Sequence, residues 1–240
     1  MSATAPGTLY CVPTPITEAR TPADDLAPRA LALVADLDYV IAENAKTARA
    51  ALKRMALARP IQQIEVVELS EHTRDEAIPA MLAPLRAGRS AALMSEAGCP
   101  GVADPGARLV LAAHAESIPV VPVVGPSALL LALMGSGLNG QRFAFAGYLP
   151  TAPDARRQRL RELEQRSRRE DETELFIETP YRNQAMLDAL IGTLSPSTLL
   201  CVAADLTGPR QWLSTQRVDA WRRQPRVLER VPTVFLFLAA

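Results

Sequence analysis

Along the first half of the chain, short apolar runs alternate with longer stretches in which apolar positions recur every third or fourth residue. The runs at 9–12, 39–42, 64–69, 91–95 and 120–124 are bounded by proline, glycine or polar clusters and have the length of buried strands. The stretches 30–37, 77–86 and 105–117 carry helical spacing. So does the segment after Asn44, with Ala48, Leu52 and Met55 on one face and Lys46, Arg49, Lys53 and Arg54 on another. Strands separated by helices, or by loops long enough to hold one, predict a parallel sheet with crossover connections. Residues 1–124 are therefore expected to form one α/β domain.

Three strand exits carry unusual chemistry. The first strand stops at Pro13-Thr14-Pro15, because proline cannot donate to a sheet ladder. The second ends at Glu43-Asn44, where Asn44 is placed to cap the helix that follows. The fourth runs through Ser95 into a turn holding Gly98, Cys99, Pro100 and Gly101, then Asp104-Pro105-Gly106. There Asp104 is expected as the N-cap and Pro105 as the first helical residue, where its missing N–H costs nothing. Ligands in open α/β sheets bind at the carboxyl ends of strands, where backbone amides and helix N-termini are free. The stretch 95–104 is thus the first candidate for a ligand-holding loop.

Gly125-Pro126-Ser127 punctuates the chain, and residues 125–240 are expected to form a second, mixed-sheet α/β domain. Its predicted elements are an apolar helix over 128–134, a strand over 143–147 and a long charged helix over 154–172 with Leu160 and Leu163 inward. A strand over 175–177, a helix from Thr179-Pro180 to Gly192 and a strand over 199–204 follow. Residues 218–221 and 234–238 read as strand or edge material with hairpin-like connections, where the pattern alone does not separate helix from strand.

Composition narrows the class. The hydrophobic content is 48% and the charged content 22%, as in soluble globular proteins. Lys+Arg and Asp+Glu are both 26, so overall charge selects no partner, although a local patch can still bind nucleic acid. No apolar run has the length of a bilayer span, and MSATAPGTLY lacks the regions of a signal peptide; a cytoplasmic location is expected. Cys11, Cys99 and Cys201 are odd in number and lack CxxC spacing, so neither a disulfide framework nor a metal site is expected.

Taken in order, the fragments LYCVPTPI, VIAEN, ALMSEAGCPGVADPGARLV, VVPVVGPSALLLALMGSGL, RFAFAGYLP, LFIETPYR and LCVAADLT resemble the tetrapyrrole (corrin/porphyrin) methylase superfamily over roughly residues 8–238. Within it the chain is most similar to the branch of the small-subunit rRNA (cytidine-2′-O)-methyltransferase, as a diverged paralogue. The departures fall on polar loops. The branch's PTPIGNL is PTPITEA here, with Thr17 and Glu18 in place of Gly and Asn. Its EDTRHT is Glu43-Asn44-Ala45-Lys46-Thr47-Ala48, and its ELTK is Asp205-Leu206-Thr207-Gly208.

The resemblance implies a two-domain α/β methyltransferase, usually a homodimer, with S-adenosylmethionine in the cleft between domains. It implies cofactor contacts at Ser95, Gly98, Cys99, Val102 and Ala103, at Ser127 and Ala128, and at Pro13, Ala203, Pro232 and Thr233. The changed loops place Glu43, Asn44 and Tyr181 toward the acceptor. Methyl transfer from a sulfonium is a direct displacement, so alignment supplies much of the catalysis and a base helps only a hydroxyl or poor amine acceptor. Carboxylates at strand exits, Glu43, Glu96, Glu178 and Asp205, are base candidates, with Glu178 and Arg182 the foremost catalytic pair. His114 is expected to be structural within its apolar helix, and Cys99 a packing residue.

Seven arginines over 156–169 can contact RNA phosphates or pair with the interspersed acids. Three readings stay open: a methyltransferase acting on RNA such as rRNA, one acting on a small tetrapyrrole-like molecule, or a cofactor-binding protein without turnover.

Overall fold

In the computed structural model of the protein, residues 5–55, 57–224 and 226–240 are described. The chain divides into two compact units, Met1–Ser127 and Ala128–Ala240.

The first unit runs β1 (Leu9–Val12), α1 (Pro22–Asp25), α2 (Pro28–Asp36), β2 (Tyr39–Ala42), α3 (Ala45–Lys53), β3 (Glu65–Glu68), α4 (Ile78–Arg86), β4 (Ala91–Met94), α5 (Gly106–Ala115) and β5 (Val120–Pro122). Its sheet has the order β3-β2-β4-β1-β5, and every pair in it is parallel. Successive side chains point to opposite faces of a strand, and each face has its own core. Tyr39, Ile41 and Leu93 join Leu82, Leu85 and Leu109 of α4 and α5 on one side, while Val40, Ala42 and Met94 join Val34, Ala48 and Leu52 of α2 and α3 on the other. A strand covered on both faces must be apolar throughout, which is why ALM and YVIA read as unbroken runs. The buried phenol of Tyr39 donates to the Met81 carbonyl at 3.0 Å.

The second unit runs α6 (Ala128–Ser136), β6 (Phe143–Tyr148), α7 (Pro153–Glu170), β7 (Thr173–Glu178), α8 (Asn183–Thr193), β8 (Leu199–Ala204), β9 (Trp212–Arg217), α9 (Val218–Arg223) and β10 (Thr233–Leu238). Its sheet order is β6-β7-β10-β8-β9, with β6 parallel to β7 and the other pairs antiparallel. Leu160 and Leu163 of α7 pack with Met186, Leu187 and Leu190 of α8, with Trp221 of α9 and with Phe176, Phe235 and Phe237 of the sheet. On this core face Phe176 stacks on Phe235, ring centroids 5.8 Å apart. The sequence-based expectation of a parallel sheet followed by a mixed one holds.

Several local expectations change. Residues 218–221 are helical, because Val218 and Trp221 bury on one side of a turn and the indole donates to the Leu200 carbonyl at 3.0 Å. The strand lies just before, at Trp212–Arg217, an edge strand whose half-exposed, polar-rich residues give no apolar run. Pro105, not Asp104, occupies the N-cap position of α5. His114 is exposed on α5 and takes no part in the core.

Candidate functional site

The carboxyl edge of the parallel sheet is held together by hydrogen bonds between strand exits far apart in sequence. Beyond β1 and β4, Thr14 and Gly98 form an antiparallel bridge, each donating its N–H to the other's carbonyl at 2.9 and 3.0 Å. Thr14 Oγ1 also donates to the Ser95 carbonyl at 3.2 Å, and Ser95 Oγ donates to the Gly98 carbonyl at 3.0 Å. Both side chains are buried. The turn from 95 is therefore closed on itself and latched to the Pro13-Thr14-Pro15 exit. Proline at 13 and 15 leaves the Thr14 N–H as the donor available between them.

Three residues of this turn have left-handed backbone: Gly98 at φ +73°, Gly101 at φ +83° and Ala103 at φ 60°. Glycine adopts this region freely, whereas alanine is strained there. Asp104 holds the far side of the turn, its Oδ1 accepting from Gly101 N at 2.8 Å and from Gly106 N at 2.7 Å. Burial pushes the Asp104 carboxyl above the usual carboxylate range against those two donors, and its Oδ2 is buried without a hydrogen-bond partner among the described residues. Cys99 Sγ donates to the Pro126 carbonyl at 3.3 Å, and burial raises its pKa, so the thiol stays protonated and packs. Val102 and Val124 present exposed apolar side chains. A Cβ on Gly125 would lie 2.5 Å from Pro13 Cβ, so only glycine permits the close approach of the β5 exit to Pro13. Ser127 closes this unit.

Beside the loop lies an open cavity of about 660 Å³, lined by Glu43, Glu68, Glu71, Glu96, Asp104 and Arg108 among others. Glu43 Oε2 accepts from Glu96 N at 3.2 Å. Burial raises the Glu43 pKa most, with smaller contributions from the neighbouring charges of Asp104, Glu96 and Glu71. Asn44 is committed as the N-cap of α3, its Oδ1 accepting from Lys46 N at 2.9 Å and Thr47 N at 3.1 Å. Both residues of the predicted pair Glu43-Asn44 thus line the cavity, but the side-chain oxygen of Asn44 is spent on capping α3. Cavity neighbours Glu68 and Glu71 carry no signal in the sequence that separates them from ordinary surface acids.

In the second unit, Ala128 opens α6, and the other candidates meet at one end of the sheet. Thr233 pairs with Glu178 of β7 on one side and with Ala204 of β8 on the other, while the neighbouring Ala203 is fully buried in β8. Glu178 is buried, and its Oε2 lies 2.8 Å from Arg182 Nη2, an ion pair outside hydrogen-bond alignment. Its Oε1 accepts from Thr179 N at 2.8 Å. Asn183 was not singled out from the sequence, although it directly follows the fragment LFIETPYR. Its Nδ2 donates to the Val231 carbonyl at 2.7 Å and to Thr233 Oγ1 at 2.9 Å, and its buried Oδ1 has no hydrogen-bond partner among the described residues. Pro232 is exposed, its carbonyl accepting from Asp205 N at 2.9 Å, and Tyr181 is 69% exposed, away from this cluster's buried residues. Asp205 is buried with φ 48°, and its Oδ2 accepts from Arg210 N at 2.8 Å, so it is spent on closing its own loop.

The arginines of α7 are largely engaged. Arg157 pairs with Asp154, Arg159 with Glu162, Arg166 with Glu172 and Glu174, and Arg169 with Glu170; Arg168 donates to the Ala240 carbonyl at 2.8 Å. Among the described residues no helix is long and apolar enough to cross a membrane, and no group of three or more His, Cys, Asp or Glu is arranged to hold a metal ion.

Comparison with known proteins gives the same architecture. Over 202 residues the chain is 38% identical to a protein of Xylella fastidiosa strain Temecula1 named "Ribosomal RNA small subunit methyltransferase I", covering 84% of this chain and 69% of that one. Proteins of the same name from Synechocystis and Escherichia coli O157:H7 are 36% and 32% identical over 201 residues, which span 67% and 66% of their lengths. Among solved structures, the methyltransferase CobJ matches with a TM-score of 0.61 at 18% identity over 99% of this chain and 100% of that one. Uroporphyrin-III-C-methyltransferase from Thermus thermophilus matches with a TM-score of 0.54 at 21% identity over 97% and 92%. Residues 8–218 match the family model described as "Tetrapyrrole (Corrin/Porphyrin) Methylases", and with the fold and these relatives in agreement the chain belongs to that family.

Proposed function

We propose that the protein is an S-adenosylmethionine-dependent methyltransferase whose acceptor is RNA, small-subunit ribosomal RNA in particular. The observation that carries this reading is the 32–38% identity, over most of this chain, to proteins named for that activity in distantly related bacteria. The homodimer implied by the resemblance and the cytoplasmic location expected from the sequence belong to the same reading.

The residues present suit the cofactor. In the first unit, Pro13, Ser95, Gly98, Cys99, Val102, Ala103 and Ser127 would hold it. The latched turn there offers left-handed backbone and an exposed apolar Val102, a lining that fits an uncharged adenosine. In the second unit, Ala128, Ala203, Pro232 and Thr233 would contribute, and the unpartnered Asn183 Oδ1 marks an acceptor that a ligand N–H can satisfy. When bound, S-adenosylmethionine supplies a methyl group already activated by its sulfonium.

The chain's own work is then to orient the acceptor and exclude water. Glu178 is tied to Arg182 and Thr179, which holds its carboxylate in place and suits it to fixing the end of β7 more than to moving a proton. Glu43, with its raised pKa and its place on an open cavity, is the carboxylate better suited to take a proton from a hydroxyl acceptor. Glu43 is also the residue we assign to acceptor contact; Asn44 serves through the helix it caps, and Tyr181 is an exposed position open to contact.

The cavity chemistry bears on the alternative, a tetrapyrrole-like acceptor. Glu43, Glu68, Glu71, Glu96 and Asp104 would repel a polycarboxylate macrocycle. A nucleoside can approach the same cavity by its uncharged base and sugar while its phosphates lie outside. Purified protein should transfer labelled methyl groups to small ribosomal subunits or RNA from a strain lacking the gene. Transfer to neither, with an undermethylated small molecule accumulating in that strain, would replace RNA with a small-molecule acceptor. Cofactor binding with no turnover on any pool would make the protein a silent binder.

A further inference from the structure

We infer that the outer face of α3, carrying Lys46, Arg49 and Lys53, is a docking surface for the phosphate backbone of RNA. The inference rests on the RNA reading above and names the surface that would hold that substrate. The spacing of three and four residues puts these side chains on one face, apart from the buried Ala48 and Leu52 that fix α3 to the sheet. Lys46 and Lys53 are the only lysines in a chain with 26 basic residues.

Two features run against the helix at Lys46 and Arg49, although Lys53 stands in the last turn where the dipole favours a cation, and a third leaves the stripe unpaired. Lys46 stands in the first turn, where the helix dipole disfavours a cation, and that turn contains no acidic residue. Lys46 and Arg49, then Arg49 and Lys53, are like charges at i,i+3 and i,i+4, which repel. Among the described residues none of the three forms an ion pair with a carboxylate, whereas Arg157, Arg159, Arg166 and Arg169 of α7 all do. The carboxylates nearest the start of α3 are spent otherwise: Glu68 accepts from Ala45 N at 3.4 Å and Glu96 from the Thr47 hydroxyl at 3.3 Å. Charges placed at a local cost, with no internal partner, are matched by an external polyanion. α3 begins directly after Glu43-Asn44, so its N-terminus borders the cavity assigned to the acceptor. A strand whose phosphates lie along α3 can therefore present one nucleoside to that cavity, while the acidic lining keeps the phosphates out.

By composition the arginine-rich α7 is the helix expected to contact RNA. The pairing pattern reverses that expectation. α7 is cationic by count, but four of its seven arginines pair with carboxylates of the helix, of the turn after it or of β7, whereas among the described residues none of the three α3 cations does.

The test compares wild-type protein with K46Q/R49Q/K53Q and with R157Q/R169Q as a control on α7. Four readouts are needed: binding of a fluorescent small-subunit rRNA fragment against salt, methyl transfer to undermethylated subunits, calorimetry with S-adenosylmethionine, and thermal melts. The α3 variant should lose about two to three from the slope of log K against log salt, as expected for about three lost phosphate contacts. Its KM for RNA should rise about tenfold or more, with cofactor affinity unchanged and a melting temperature no lower than that of the wild type. The α7 control should change the slope by less than one. If the wild type methylates RNA and the α3 variant matches it in slope and KM, the stripe is overturned and the RNA reading stands. If the wild type neither binds nor methylates RNA, both fall. Binding by the stripe to anionic lipid vesicles but not to RNA would likewise overturn the proposal.

Discussion

Asn183 Nδ2 donates to Thr233 Oγ1 at 2.9 Å across fifty residues of sequence, and the same nitrogen donates to the Val231 carbonyl at 2.7 Å. The side chain, 1% exposed, therefore sets the approach to β10 at the end where Thr233 faces Glu178. Removing it takes one donor from each acceptor, although the Thr233 hydroxyl still donates to the Val231 carbonyl at 3.0 Å. N183A should destabilise the protein by about 1–3 kcal/mol, from two lost hydrogen bonds worth about 0.5–1.5 kcal/mol each. N183D keeps the size but exchanges the amide donor for a carboxylate, so it should not rescue. If Thr233 contacts the cofactor, calorimetry on whatever fraction of N183A remains folded should show weakened S-adenosylmethionine binding. Stability equal to wild type would remove Asn183 from this role.

The turn at Gly98 is open to a sharper test, because space and backbone strain separate there. A Cβ at Gly98 would meet Ile16 Cγ2 at 3.5 Å and the Pro126 carbonyl at 3.7 Å, ordinary contacts, but φ is +73°. G98A should cost about 1–2 kcal/mol through the left-handed backbone alone. S95A, which removes the hydroxyl bonded to the Gly98 carbonyl, should cost about 1 kcal/mol. Both should weaken cofactor binding by more than they lower global stability, since the turn they loosen is the proposed site. Urea melts paired with calorimetry separate the two effects.

How much of this was legible in the residues depends on what each element buries. β2 and β4 could be read directly because both faces are covered and their sequences have no polar positions. β9 could not, since WLSTQR lies at an edge and keeps its residues half exposed. Val218 and Trp221 bury at a spacing that suits one helical turn, yet two apolar residues do not distinguish a turn from an edge strand. At the site, the Ser95–Gly98 turn was visible through its glycines and prolines. The latch from Thr14 to Ser95 was not, because nothing in a sequence couples residues 81 apart. The neutralisation of the α7 arginines was hidden for a similar reason: Glu174, the buried partner of Arg166, lies on β7 and not on the helix itself.

Glu178 and Arg182 were the foremost catalytic candidates in the sequence, and their geometry allows a decision between catalysis and support. Glu178 has only 1% of its side chain exposed, and Arg182 at 2.8 Å is its charge partner. R182A would strand a buried carboxylate and should destabilise by about 3 kcal/mol. E178Q keeps the shape and an acceptor for Thr179 N, so it should be milder. A supporting pair predicts that E178Q lowers the melting temperature but leaves kcat within a few-fold. A proton acceptor predicts loss of kcat in a folded enzyme, with a pH–rate profile flattened on its acid limb.

Glu43 gives a prediction in pH. Its pKa is raised in the folded protein, chiefly by burial and further by Asp104, Glu96 and Glu71. The folded state therefore binds a proton more readily than the unfolded chain. Stability is then lost as pH rises from the ordinary glutamate value through the raised folded one, and the loss persists at neutral pH. Glutamine at 43 removes the charge and can still accept from Glu96 N. E43Q should melt higher than the wild type at pH 7, and the gap should close as pH falls toward about 4, where both states hold the proton. Thermal melts from pH 4 to 8 measure this directly. A gap that does not vary with pH would mean that Glu43 is solvated in the folded protein, and would withdraw it as the carboxylate poised to take a proton from the acceptor.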